Sequence, residues 1–484
     1  MKISHKYLVL QLLMLIRLSV YGQDGTKEKI LQVEKNLVGS IQLSGETPWT
    51  MQERMTHYKI RGLSIAVIQN YHIIWAKGYG WANDSLKIPV TTQTLFQAAS
   101  ISKSLNGVGL LKLVQEKKLD LYKDINTYLT SWQFPYDSLS KGEKISVANL
   151  LSHTGGLTVH GFRGYDQGVT LPTTIQILNG QKPANSAPVR SMYAPGKKSE
   201  YSGGGITISQ LVLMDITHQP YADYMKKEVL RPLGMTASTY ANPPVDVKPD
   251  LLATAYDGNG KSIPGKYHIY PEEAAAGLWT NPTDLANYII ETQLASEGKS
   301  AKVLDQSTTL LRLTPYLDKN AALGVFIENL DSTRYFGHGG ANEGFRSQYY
   351  GSLQGGNGIV VMVNSDNGNI IPEVINSVAK VYGFKGLYRS TIKKTVSVPD
   401  SVLQTYVGQY ALSPTFILTV TKEGKKLYTQ ATGQAKFEII SETQTKFFPI
   451  EFPADLEFIK DSTGVINAVV LYQNGYRNEA KKIK

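Results

Sequence analysis

The chain alternates between two hydrophobic periods. Leu63 to Asn83 carries the every-second-residue alternation of half-buried strands in LSIAVIQN and HIIWAKGYGWAN, so the pattern predicts a β-hairpin turning near Asn70. A helical repeat comes earlier, from Glu28 to Ile41, and again at Ser100 to Glu116 and Thr207 to Thr217. Strand-like runs return at Ser347 to Ser352 and Gly358 to Asn364, followed by a helical stretch from Ile370 to Tyr382. Strands at both ends with helices between them predict an α+β fold, one sheet built from both chain ends around an inserted helical region. Beyond Gly383 the pattern shifts. Leu387 to Pro399 lacks apolar periodicity and is expected to be a linker. Short alternating strands then follow, separated by KEGK (Lys422 to Lys425), SETQT (Ser441 to Thr445) and KDSTG (Lys460 to Gly464), as in a small antiparallel β-barrel.

The N-terminus changes the picture of where the protein works. Lys2 and Lys6 precede the apolar run Tyr7 to Ile16, and Val20 and Gly22 supply small residues, the arrangement of a secretory signal over residues 1–22. The run is too short to span a bilayer, so a periplasmic or secreted protein with no stable membrane span after cleavage is expected. Cysteine is absent, which excludes disulfides, thiol catalysis and lipidation through an N-terminal cysteine. The 50 Lys+Arg against 40 Asp+Glu are dispersed without a basic run, so no nucleic-acid partner is expected. The eight histidines are scattered, with no His-Glu-x-x-His. The glycines at Gly203 to Gly205 lack the lysine of a phosphate loop. Neither a metal nor a cofactor is called for.

Candidate chemistry begins at Ser100-Ile101-Ser102-Lys103. Serine three residues before lysine also occurs at Ser138, Ser296, Ser377 and Ser390, so the spacing alone does not single it out. Context does: Leu105, Val108, Leu111 and Val114 continue as an apolar helical face, putting Ser100 at a helix start and Lys103 on the same face. Positive potential at the helix start favours a developing alkoxide, and a lysine shielded from water loses its proton near neutrality and serves as a base.

Six stretches, the first of them around Ser100, carry a family resemblance: FQAASISKS (Phe96 to Ser104), LLSHTGGL (Leu150 to Leu157), PGKKSEYSGGG (Pro195 to Gly205), EVLRPLGMTAST (Glu228 to Thr239), AAGLWTNPTDLA (Ala275 to Ala286) and GHGGANEGFRSQ (Gly337 to Gln348). In this order they resemble the serine β-lactamase and penicillin-binding-protein superfamily, closest to the class C related serine hydrolases. The resemblance implies a β-lactamase/transpeptidase-like fold for residues 23–386, a linker at 387–399, and a lipocalin-like barrel at 400–484. It implies Ser100 as nucleophile, Lys103 and Tyr201 as proton carriers, and His338 on the strand of the His338-Gly339-Gly340 motif. It also implies the backbone N–H groups of Ser100 and Ala341 as an oxyanion hole. Gly203 stands where relatives carry asparagine. Gly203, Gly339, Gly340, Trp279 and Arg346 are candidate substrate-binding residues, with Trp279 and Tyr349 able either to line the cleft or to belong to the core. His153 matches the structural LLSHTGGL segment and is expected to be a packed, hydrogen-bonded histidine.

The expected activity is therefore an exported serine hydrolase forming an acyl-enzyme with a small molecule or peptide that presents a reactive carbonyl. Esters and D-amino-acid amides or peptides rank ahead of β-lactams, because Gly203 and His338 replace an amide and a permanent cation. The alternatives are a β-lactamase and a binder of penicillin or peptidoglycan fragments that does not turn over. The sequence leaves the oligomeric state open.

Overall fold

The computed structural model describes residues 25–484, so the secretory-signal reading lies outside the described residues. The described residues fold as two compact units. Residues 25–29, 52–371 and 384–386 form the described part of one; residues 30–51, 372–383 and 387–484 form the other.

The first unit is organised around a seven-stranded antiparallel sheet. Its order runs Ile88–Pro89, His72–Asn83, Gly62–Gln69, Gly358–Val363, Phe345–Ser352, Thr333–Asn342, Phe326–Leu330. The predicted hairpin turns at Asn70 and Tyr71, both left-handed at φ 51° and 63°, a two-residue turn whose twist matches that of the flanking strands. At the centre, Gly62–Gln69 pairs with Gly358–Val363, which joins the two ends of this unit's chain in one sheet, the predicted α+β arrangement. Both strands are almost wholly buried, as continuous apolar runs require.

Among the inserted helices, Ser102–Gln115 is preceded by a 3₁₀ turn at Ala99–Ile101, so the predicted helical stretch is two elements. The helix predicted from Thr207 begins earlier, at Gly203, because the Ser202 side chain caps it by accepting from the Gly205 N–H. Its opening glycines have low helix propensity and conceal that start from a reading of apolar period. Helix Pro282–Ser296 is capped by Asn281 and packs on the sheet.

The N-terminal helix occupies residues 25–34, of which 30–34 belong to the second unit, and does not continue to Ile41. Leu37 instead bridges Trp49, and Ile41–Leu43 pairs in parallel with Thr391–Lys393. That long-range pairing overrides the local helical period. It also makes part of the expected linker a strand. Eight antiparallel strands from Gly408–Ser413 to Tyr476–Lys482 close into a barrel, with Tyr410 and Ala411 opposite Lys482 and Lys481 at the seam. Tyr406, Tyr410, Phe447 and Phe458 are buried among aliphatic side chains, and Tyr406 stacks on Phe458 at 4.3 Å, so the interior is a packed core.

Candidate active site

Ser100 is presented by a turn held at several points. The Ala98 N–H donates to the Leu278 carbonyl at 2.8 Å. Ala99 adopts a left-handed φ of 51°, unusual for a residue with a β-carbon. The Ser102 hydroxyl donates to the Ala99 carbonyl at 2.5 Å and accepts from the Leu278 N–H at 3.0 Å. From the sheet, Ser347 Oγ donates to the Ala98 carbonyl at 3.1 Å. Position 340 must be glycine here, since a β-carbon would run into the Ala98 carbonyl and the Ser347 hydroxyl. Strand Thr333–Asn342 thus lies directly against the turn that carries Ser100.

Lys103 lies one helical turn on, with its side chain buried. Its Nζ is 3.0 Å from Ser100 Oγ and 2.6 Å from the Ala275 carbonyl, to which it donates. Burial alone lowers its pKa to about 7, so near neutrality a large share is free amine able to accept the Ser100 proton. The Ala275 carbonyl belongs to the short helix Glu273–Ala276, whose amides at Ala275 and Ala276 bond back to the Glu272 carbonyl.

Tyr201 faces the same point. Lys103 Nζ is 4.9 Å from its ring centre, and its hydroxyl lies beside the Ser100 side chain. Burial raises the phenol well above its ordinary range, so the resting tyrosine is neutral.

His338 is neutral as well. Its Nδ1 bonds the Gly339 carbonyl at 2.6 Å, which fixes the proton there, while its buried Nε2 meets no partner. Burial, then the nearby Lys103 charge, depresses its pKa to about 3. It offers a lone pair, not a positive charge. His153 is buried too, and its Nδ1 accepts the Ser202 N–H at 3.2 Å, as the packed role requires. Burial drives its pKa well below the usual value.

Gly339, Gly340 and Ala341 form the partly open end of the strand, with Ala341 exposed and opposite Arg346. Trp279 is a correction. It is fully buried against Tyr267 and Phe345 and cannot reach a substrate. Tyr349 is likewise core, donating to Ser104 Oγ at 2.9 Å. Arg346 does not present a free guanidinium: it pairs with Asp366 at 2.9 Å and donates to the Asn342 and Phe345 carbonyls, tying down the neighbouring turn. Gly203 sits buried at the start of helix Gly203–Thr217, its amide donating to the His160 carbonyl at 2.9 Å.

Three contributors escaped sequence reasoning. The Ala275 carbonyl is a backbone group and carries no side-chain signal. Phe326 stacks on Tyr201 at 6.4 Å from an edge strand, and His160 lies 5.0 Å from the same ring; only tertiary packing brings either there.

A seryl oxygen beside a desolvated amine, on a turn packed against a sheet edge, defines a serine hydrolase of the acyl-enzyme class. The chain belongs to the beta-lactamase family, whose description matches residues 50–376, and residues 393–481 match a domain of unknown function, DUF3471. It is 22% identical over 435 residues to penicillin-binding protein 4* of Bacillus subtilis, covering 85% of this chain and 93% of that one. Protein flp of Staphylococcus aureus is 24% identical over 322 residues, 65% of this chain, and the match spans 62% of that relative's length. The octameric penicillin-binding protein homologue from Pyrococcus abyssi shares the fold at a TM-score of 0.62 and 21% identity, over 89% of this chain and 98% of that one. D-amino acid amidase from Ochrobactrum anthropi SV3 does so at 0.55 and 19%, over 68% and 96%.

Proposed function

We propose that this protein is an exported serine hydrolase in which Ser100 attacks a substrate carbonyl and forms an acyl-enzyme. Lys103 takes the Ser100 proton and Tyr201 passes a proton to the leaving group. The amides of Ser100 and Ala341 hold the oxyanion, and His338 Nε2 accepts a hydrogen bond from substrate. Water then releases the acyl group. The observation that carries this reading is the 3.0 Å separation of Ser100 Oγ from a buried Lys103 whose pKa falls to about 7.

The preferred substrates in this reading are esters and D-amino-acid amides or peptides. A carboxylate on a β-lactam gains little from His338, which is neutral, and Gly203 offers no amide to an acylamino group. The fold shared with a D-amino acid amidase supports the amide half of the preference. Export rests on the residues 1–22 pattern.

The test is fluorophosphonate labelling of wild type and Ser100→Ala, followed by kcat/KM for esters, D-aminoacyl amides and β-lactams on one preparation. An adduct on the wild type alone and a β-lactam rate below the other two support the proposal. An equal adduct on Ser100→Ala removes the nucleophile. A β-lactam preference above about tenfold, roughly 1.4 kcal/mol of transition-state discrimination, makes the enzyme a β-lactamase. Persistent penicillin adduct without turnover makes it a binder.

A further inference from the structure

The three glycines that open helix Gly203–Thr217 leave its first turn bare, and a loop has moved in. A β-carbon on Gly203 would lie 3.1 Å from both the His160 carbonyl oxygen and the Phe162 ring. On Gly204 it would lie 2.7 Å from the Val189 side chain and 3.1 Å from that of Val159. The close approach is locked by hydrogen bonds: the Gly203 amide to His160 O at 2.9 Å, the Gly204 amide to Val159 O at 3.0 Å, and Ser202 Oγ to Thr158 O at 2.8 Å. On its far side the loop is fixed by Tyr270 and His268 to the Arg163 carbonyl.

Closing the loop strains it. Val159 is β-branched yet adopts a left-handed φ of 64°, a conformation that persists only where surrounding contacts impose it. What the strain secures is the placement of two rings. His160 is solvent-exposed and 5.0 Å from the Tyr201 ring, which is itself 4.9 Å from Lys103 Nζ. Phe162, half-buried, covers the space above Gly203 that a side chain at that position would fill. Phe326 completes the aromatic surround, 6.4 Å from Tyr201 and 5.3 Å from His338. Where an amide would bond an acylamino group, this molecule has an aromatic wall beside its proton relay.

From the Gly203 packing and the His160–Tyr201 ring contact, we infer that His160 and Phe162 determine acyl specificity, selecting acyl donors that carry an aryl group to stack on the wall. This rests on the reading of Ser100 as the nucleophile and adds to it the identity of the acyl group. Aromatic rings favour offset or edge contacts with one another, and such contacts need no hydrogen-bonding group on the substrate.

The test compares p-nitrophenyl phenylacetate with p-nitrophenyl acetate, which share a leaving group, on wild type, His160→Ala, Phe162→Ala and the milder Phe162→Leu. The readout is the ratio of the two kcat/KM values, which a loss of active enzyme does not move. Wild type should favour the phenylacetyl ester by about tenfold or more, the scale of apolar pocket discrimination. Each alanine variant should lower that ratio by about fivefold, in line with one aromatic contact, and Phe162→Leu by less. A wild-type ratio near one, or the same ratio in all four proteins, overturns the wall as a specificity element. Fluorophosphonate labelling separates this from its premise: a wild type that fails to label at Ser100 overturns the nucleophile instead.

Discussion

Ser100 Oγ and Lys103 Nζ lie 3.0 Å apart, and the lysine that makes this contact is held by burial at a pKa of about 7, not by a partner carboxylate. Burial lowers the nearby histidines in the same direction, but from a lower starting point, His338 to about 3 and His153 well below its usual value. The three candidate bases therefore separate along the pH axis.

The first consequence is a pH profile. Burial disfavours the charged form of Lys103, so the competent free amine is scarce below pH 7 and dominant above it. With a neutral ester, kcat/KM should rise about tenfold per pH unit below 7 and level off above. The position of this limb should persist in His338→Gln. A flat profile from pH 5 to 9, or a limb between 3 and 5, would assign the base elsewhere.

Removing the amine should cost more than removing the phenol hydroxyl. Lys103→Ala takes away the base, whereas Tyr201→Phe leaves it and interrupts only the relay, which water bridges poorly. Both losses should be at least about 10²-fold in kcat, the lower range for general acid–base groups. Melting temperatures measured alongside distinguish chemistry from folding. Near-wild-type turnover in both variants would identify His153 or His338 as the base.

Much of this arrangement was legible because it is local or carried by motif. Asn70 marked the hairpin, and the Ser100–Lys103 spacing on an apolar helix marked the nucleophile. Elements decided by distant partners were not. Residues 35–41 have a helical period, but Leu37 finds Trp49 and Ile41–Leu43 finds Thr391–Lys393, a pairing no local window contains. The motif around Trp279 leaves it able to line the cleft or to join the core, and Tyr267 and Phe345, which lie outside that motif, enclose it. The glycine run at Gly203 reads as the loss of an amide; only the packing shows the loop that fills the space.

The pairing of Ile41–Leu43 with Thr391–Lys393 bears on how the chain can be cut. Truncation before Leu387 removes that strand and the Arg389 amide that donates to Asn376 at 2.8 Å, leaving Ile41–Leu43 unpaired. Truncation before Asp400 removes the barrel and keeps both. The shorter product should give less soluble protein and a lower melting temperature than the longer one. Equal yield and equal stability of the two would show that this strand pairing contributes nothing to the fold of the remaining chain.

Glu272 supplies a pH effect on stability separable from catalysis. It is fully buried, neither carboxyl oxygen meets a partner, and burial raises its pKa to about 8 from the ordinary 4.5. The folded protein thus keeps a proton that the unfolded chain has released. The stabilising contribution is complete below about pH 4.5 and is lost as pH rises through about 8. Glu273, also raised to about 8, acts in the same direction, so Glu272→Gln should reduce this decline and not abolish it. Lys103 has the opposite sign, since its lowered pKa makes stability rise between about 7 and 10.5, and it is common to both proteins. Melting temperatures from pH 5 to 9 should show the variant gaining on the wild type as pH increases, with the gap widest above pH 8. Parallel curves would mean that Glu272 is ionised and paired in the native protein, contrary to its unpartnered burial.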